Sequence, residues 1–274
     1  MAVGGGHTRP TRAASRLAGL SLVPAVLLAA CGSSGGAPAA GASAALTSIH
    51  RAVARTEAAG TAHLVQSDET RSTTGGTSTG AVSEDSLSMV GDIRFAGPDL
   101  SLTTTSRSNL SSSTGTPSNS TTTTSSRSVY LDGHLYMAAG QGAVWNELAV
   151  RTPFPYLGIV TTHFLATATG PVTDAGHREI DGRATTEYLV PVPGSVRSVA
   201  LTDSHNRPYT ARFTTAPFTL AVWLDGAGRI VRTSGAEVVT SPGPTGTVRA
   251  TTTVTLSAFG EPVHIVAPAR TQPS

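Results

Sequence analysis

The stretch Thr-Val-Arg-Ala-Thr-Thr-Thr-Val-Thr-Leu-Ser, residues 247–257, decides what kind of fold this chain can adopt. Val248, Ala250, Val254 and Leu256 fall on one side of an extended backbone, and Thr247, Arg249, Thr251, Thr253 and Thr255 on the other. A period of two with one apolar and one polar face is the pattern of a half-buried strand in an antiparallel sheet. Residues 61–68, 89–96 and 100–106 repeat it, and residues 128–138 read as a hairpin in which Tyr130-Leu131 and Leu135-Tyr136 flank Asp132-Gly133-His134. Asp181-Gly182 and Asp225-Gly226 mark two further turns of the same chemistry. Because Asp-Gly tolerates the positive φ that tight hairpins require, three such turns predict an antiparallel meander.

Two segments break the period. From Ala44 to Gly60, Leu46, Ile49 and Val53 recur at helical spacing, Arg51 and Arg55 lie elsewhere, and Gly60 supplies a stop. A second helix is predicted after Thr152-Pro153, an N-cap and N1 pair, with Tyr156, Val160 and Phe164 on one face and Leu157 and Leu165 beside them. Within residues 101–128, 20 of 28 positions are Ser or Thr, and residues 71–88 are similarly polar. These read as long mobile loops with strand only at their ends, since they offer little to a core.

The N-terminus speaks to location. His7, Arg9, Arg12 and Arg16 precede fourteen uncharged residues, 17–30, against the roughly 20 needed to span a bilayer as a helix. A basic region, a short apolar run and small residues at its end mark an export signal that is removed. Leu28-Ala29-Ala30-Cys31 matches the lipobox of bacterial lipoproteins, whose cysteine carries a diacylglycerol and becomes the first residue of the mature chain. Cys31 is the only cysteine, so no disulfide explains it. Two acyl chains anchor a protein stably where one holds marginally. Residues 1–30 are therefore expected to be a lipoprotein signal peptide, 31–43 a Gly/Ser/Ala/Pro tether and 44–270 one folded domain, exported and held at the outer face of the plasma membrane.

Composition narrows the function. All 19 basic residues are Arg; three fall in the signal, leaving 16 against 17 acids, scattered singly. Nucleic-acid binding calls for a clustered basic stripe and is set aside. Gly76-Thr-Ser-Thr-Gly80 fits the nucleophile-elbow pattern, but Ser78 lies in a polar run rather than between a buried strand and a helix. The histidines at 50, 63, 134, 163, 177, 205 and 264 stand apart, with no second cysteine, so no metal site and no cofactor is expected. The chain reads as a non-enzyme.

The order of features carries a resemblance. The lipobox, tether and opening helix, then Val129-Tyr-Leu-Asp-Gly-His-Leu-Tyr136, Ile180-Asp-Gly-Arg-Ala-Thr-Thr-Glu-Tyr188, Val222-Trp-Leu-Asp-Gly-Ala-Gly-Arg-Ile-Val231 and Phe259-Gly-Glu-Pro-Val-His-Ile-Val-Ala-Pro268, resemble actinobacterial lipoproteins of the LppX/LprG group. That group is similar in fold to the lipoprotein carriers LolA and LolB. The resemblance implies an α+β fold, a strongly curved antiparallel half-barrel sheet with helices covering its concave face. It also implies a lipid, glycolipid or other acylated ligand between the layers, for which Leu46, Ile49, Val53, Tyr156, Val160 and Phe164 are the candidate wall residues. The same residues, with Trp145 and Trp223, equally suit a filled core, which would leave a membrane-anchored interaction or sensor module without lipid cargo.

Overall fold

The computed structural model describes residues 40–73, 82–97, 99–112, 118–140, 142–149, 162–202, 208–240, 246–269 and 271–273. Helix α1, Ala40–Ala58, opens four residues before the predicted start at Ala44, inside the expected tether. Two residues past its end Gly60, with a φ of 81°, turns the chain into the first strand.

Strands β1 Thr61–Thr73, β2 Val82–Arg94, β3 Asp99–Ser112, β4 Ser118–Leu131, β5 His134–Ala139 and β6 Trp145–Ala149 then run as an antiparallel meander. After α2, Thr162–Ala166, come β7 Thr173–Ile180, β8 Arg183–Val192, β9 Ser195–Thr202, β10 Pro208–Thr215, β11 Phe218–Leu224, β12 Ile230–Thr240, β13 Thr247–Ser257 and β14 Thr271–Pro273. All join one curved, mostly antiparallel sheet. The order is β14-β6-β5-β4-β3-β2-β1-β13-β12-β11-β8-β7, with β9 and β10 attached through β10 to β12.

Three expectations are corrected. The topology is not a single meander, because β13 pairs with β1 from His63↔Ser257 to Thr73↔Thr247 and places the first strand mid-sheet. β8 likewise passes over the β9–β10 hairpin, which the sequence reading missed, to pair with β11. The Ser/Thr-rich segments are largely strand: β3 and β4 stay paired from Leu100↔Tyr130 to Ser112↔Ser118, and β1 and β2 from Thr61↔Arg94 to Thr73↔Val82. Such strands need no apolar face when both neighbours supply ladder hydrogen bonds, and β-branched Thr favours extended backbone.

Two of the Asp-Gly turns form as expected. Asp132 and Gly133 have φ of 52° and 83°, and Asp181 and Gly182 of 51° and 73°, both central residues left-handed as a two-residue hairpin turn requires. Asp225-Gly226 instead begins a wider loop whose positive φ falls on Gly228, at 75°. There the Asp225 carboxylate accepts the N–H groups of Ala227 and Arg229, at 3.0 and 2.8 Å, and pairs with the Arg229 guanidinium at 2.7 Å.

This loop docks α1. Thr56, fully buried, accepts the N–H of Ile230 at 2.9 Å and donates to the carbonyl of Ala52, while Arg55 donates to the carbonyl of Ala227. The helix is thus fixed to the sheet by polar contacts at its C-terminal turn and by apolar ones along its length.

Candidate functional site

Side chains on paired strands share a face, so register shows which residues lie together. One face of the sheet carries two apolar clusters. In the first, Ala45, Ile49, Ala52 and Val53 of α1 meet Leu165 of α2, Val190 of β8, and Leu220 and Val222 of β11. In the second, Leu64 of β1, Ile93 of β2, Leu100 and Leu102 of β3, Leu135 of β5 and Leu256 of β13 pack together, with Phe95 and Phe259 at the margin. Among the described residues the two helices contribute to the first cluster alone, so helical cover extends over one part of that face.

The candidate wall residues divide accordingly. Ile49 and Val53 are buried at 0% and 3% exposure, and Leu46 and Phe164 pack against the same cluster. Tyr156 and Val160 lie outside the described residues, as do Cys31 and Ser78. Phe164 and Leu165 fall on α2, while the start of the expected helix, with Leu157, lies outside the described residues. The seam between α1 and the sheet is closely packed at Ile49.

Between the clusters runs a polar strip that sequence reasoning did not single out. Gln66 and Asp68 follow Leu64 on the same face of β1; Thr252 faces Asp68 from β13, and Thr233 and Glu237 lie on β12. Gln66 donates to Asp68 at 2.8 Å, yet the other carboxylate oxygen of Asp68, 2% exposed, and the hydroxyl of Thr233 have no partner among the described residues. Burial pushes the Asp68 carboxyl up, against hydrogen bonds from Thr252 and Gln66 that pull it down. Burial, and secondarily the Asp68 charge, push Glu237 up to about 7. The signal in the sequence was alternation, which puts Gln66 and Asp68 on the same face of β1 as Ala62 and Leu64.

Three histidines have separate partners: His50 meets the carbonyl of Ala168, two residues past α2, at 3.0 Å; His63 pairs with Asp92 at 3.0 Å and His134 with Glu147 at 2.8 Å. Among the described residues no three His, Cys, Asp or Glu side chains gather as metal ligands, and no helix is long and apolar enough to cross a membrane.

The chain matches no family model and no curated protein. Its structural neighbours include LprF from Mycobacterium bovis, 14% identical over 85% of this chain and 100% of that one, with a TM-score of 0.42. The Mycobacterium tuberculosis lipoprotein LppX is 17% identical over 82% of this chain and 99% of its own, also with a TM-score of 0.42. Both neighbours are of the LppX/LprG group that the turn and strand-edge motifs resemble.

Proposed function

We propose that this chain is an exported lipoprotein, held by a diacylglycerol on Cys31 at the outer face of the plasma membrane, whose β-rich body binds a lipid or another acylated molecule. The observation that carries the ligand reading is the division of one sheet face into two apolar clusters, of which the described helices join only one. Because the residues of both clusters are buried as they stand, an acyl chain enters only if the packing over them opens, and burying that chain repays the opening at about 25 cal/mol for each Å² of apolar surface removed from water. The reading assigns no catalytic residue.

Native mass spectrometry of mature protein purified without detergent should show a co-purifying lipid. A clean apo mass and no uptake on exposure to vesicles overturns the ligand reading. Cys31→Ala should release the protein to the medium or leave an uncleaved precursor, and membrane retention of a correctly cleaved variant refutes the anchor.

The packing at Ile49 favours a second reading, in which the seam stays closed and the domain serves as an interaction or sensor module. In that case cross-linking in cells recovers one dominant protein partner, and the purified domain carries no lipid.

A further inference from the structure

The opposite face of the sheet holds a groove of 840 Å³, within the range of about 300 to 1,000 Å³ typical of small-molecule sites. Its floor is set by register. Ser101 pairs with Val129 and Thr103 with Arg127, and all four point away from Leu100, Leu102 and Tyr130 in the second cluster. One wall is Val144 and Trp145, at the start of β6. The other is the strap that follows β13, contributing His264, Val266 and Pro268. Polar contacts hold the strap at one end, where Gly260 donates to the carbonyl of Thr61 and the Thr61 hydroxyl donates to the carbonyl of Glu261. At its other end β14 pairs in parallel with β6, from Thr271↔Trp145 to Pro273↔Glu147.

The chemistry of the groove is one-sided. The Arg127 guanidinium lies over the Trp145 ring, 5.0 Å from its centroid, in cation–π geometry. Its Nε is shielded from solvent and has no hydrogen-bond acceptor among the described residues. Among the described residues no carboxylate lines the groove. A desolvated donor on a permanent cation is costly to leave unmade, and the planar guanidinium matches the oxygens of a carboxylate or phosphate. Apolar surface adjoins it: Val144 and Val266 are each 52% exposed, and Val129 closes the floor. The geometry points to a binding site for a single-chain amphiphile with an anionic head, the head on Arg127 and the chain along Val129, Val144 and Val266. This site is independent of whether the helix–sheet seam opens.

The test is calorimetric titration of the mature chain, stripped of lipid, with dodecanoate, dodecyl phosphate, dodecanol and dodecyltrimethylammonium, each below its micelle-forming concentration. The two anions should bind saturably and at least tenfold more tightly than the alcohol or the cation, and the tighter of the two identifies the preferred head. Arg127→Met should bring the anions down to the level of the alcohol. Val266→Glu, at an exposed wall position, should weaken them at least tenfold, and it decides the matter if the Arg127 variant does not fold. In a Trp223→Phe background, binding should shift Trp145 emission. Equal affinity for the alcohol, or anion binding indifferent to both substitutions with Trp145 emission unmoved, overturns the groove. The latter result would leave lipid binding at the opposite face intact, whereas absence of lipid in native mass spectra alongside Arg127-dependent titration would sink that reading and keep this one.

Discussion

Replacing Glu237 with Gln should remove a pH-dependent loss of stability. Glu237 and Asp68 sit on the same face with β13 between them, Ala250 opposite Glu237 and Thr252 opposite Asp68. Burial and then the Asp68 charge raise the Glu237 carboxyl from 4.5 to about 7. A carboxyl whose folded value exceeds its unfolded one leaves stability whole below the unfolded value, about pH 4.5. Stability then falls as pH rises through the folded value, about 7, because the unfolded chain ionises freely while the folded one holds its proton. At 1.36 kcal/mol per pH unit the full effect is about 3.4 kcal/mol. Glu237 is only half-buried, so solvent screening reduces this to about 1.5 to 2 kcal/mol. With about a quarter of the effect already spent by pH 5, and at about 2 to 4 °C per kcal/mol for a domain of this size, the wild-type melting temperature should drop by roughly 2 to 6 °C between pH 5 and 8 relative to Glu237→Gln. Denaturant titration at pH 5, 6, 7 and 8 measures the difference directly, since the other titrating groups are common to both proteins. Parallel stability curves across that range would refute a proton-holding carboxyl at this position.

Substitutions at three further positions probe the fold. A methyl group at Gly91 would collide with the carbonyl oxygen of Ser101 and come within 2.9 Å of the Cα of Leu102, so Gly91→Ala should destabilise by about 2 to 3 kcal/mol in denaturant melts; a neutral result would mean that β2 and β3 do not approach as closely as they do here. Ile49→Ala should cost about 2 to 4 kcal/mol if the seam is a filled core, and markedly less if the helix rests on a ligand space. Asp225→Ala removes two backbone acceptor contacts and the Arg229 pair and should cost about 2 kcal/mol, while Asp225→Asn, which keeps an acceptor for the N–H groups, should cost about half that by thermal melt.

Much of the local structure was legible from residues alone. The alternation in residues 247–257 became β13 with the expected inward positions, joined there by Thr252, and the turns at Asp132-Gly133 and Asp181-Gly182 followed from side chains that accept a left-handed backbone. Where the reading failed, it had let burial stand for secondary structure. Beyond Leu102, residues 103–127 add no described side chain to either cluster, yet most pair as β3 and β4, because a ladder is satisfied by the backbone of a neighbour whatever the side chains do. Asp225-Gly226 resembled the other turns in composition, but Arg229 and the end of α1 draw the loop into a wider path.

Sequence by itself determined the strand period, the opening helix and two tight turns, since each depends on residues within a few positions of one another. Tertiary structure alone decided that β1 lies beside β13, that Asp68 and Glu237 share a buried strip, and that Arg127 and Val266 line one groove. Periodicity tells which side chains share a face of one strand, but it carries no information about which distant strand pairs next to it or which segment crosses the other side. Those choices are settled by the summed free energy of contacts made only once the whole sheet closes.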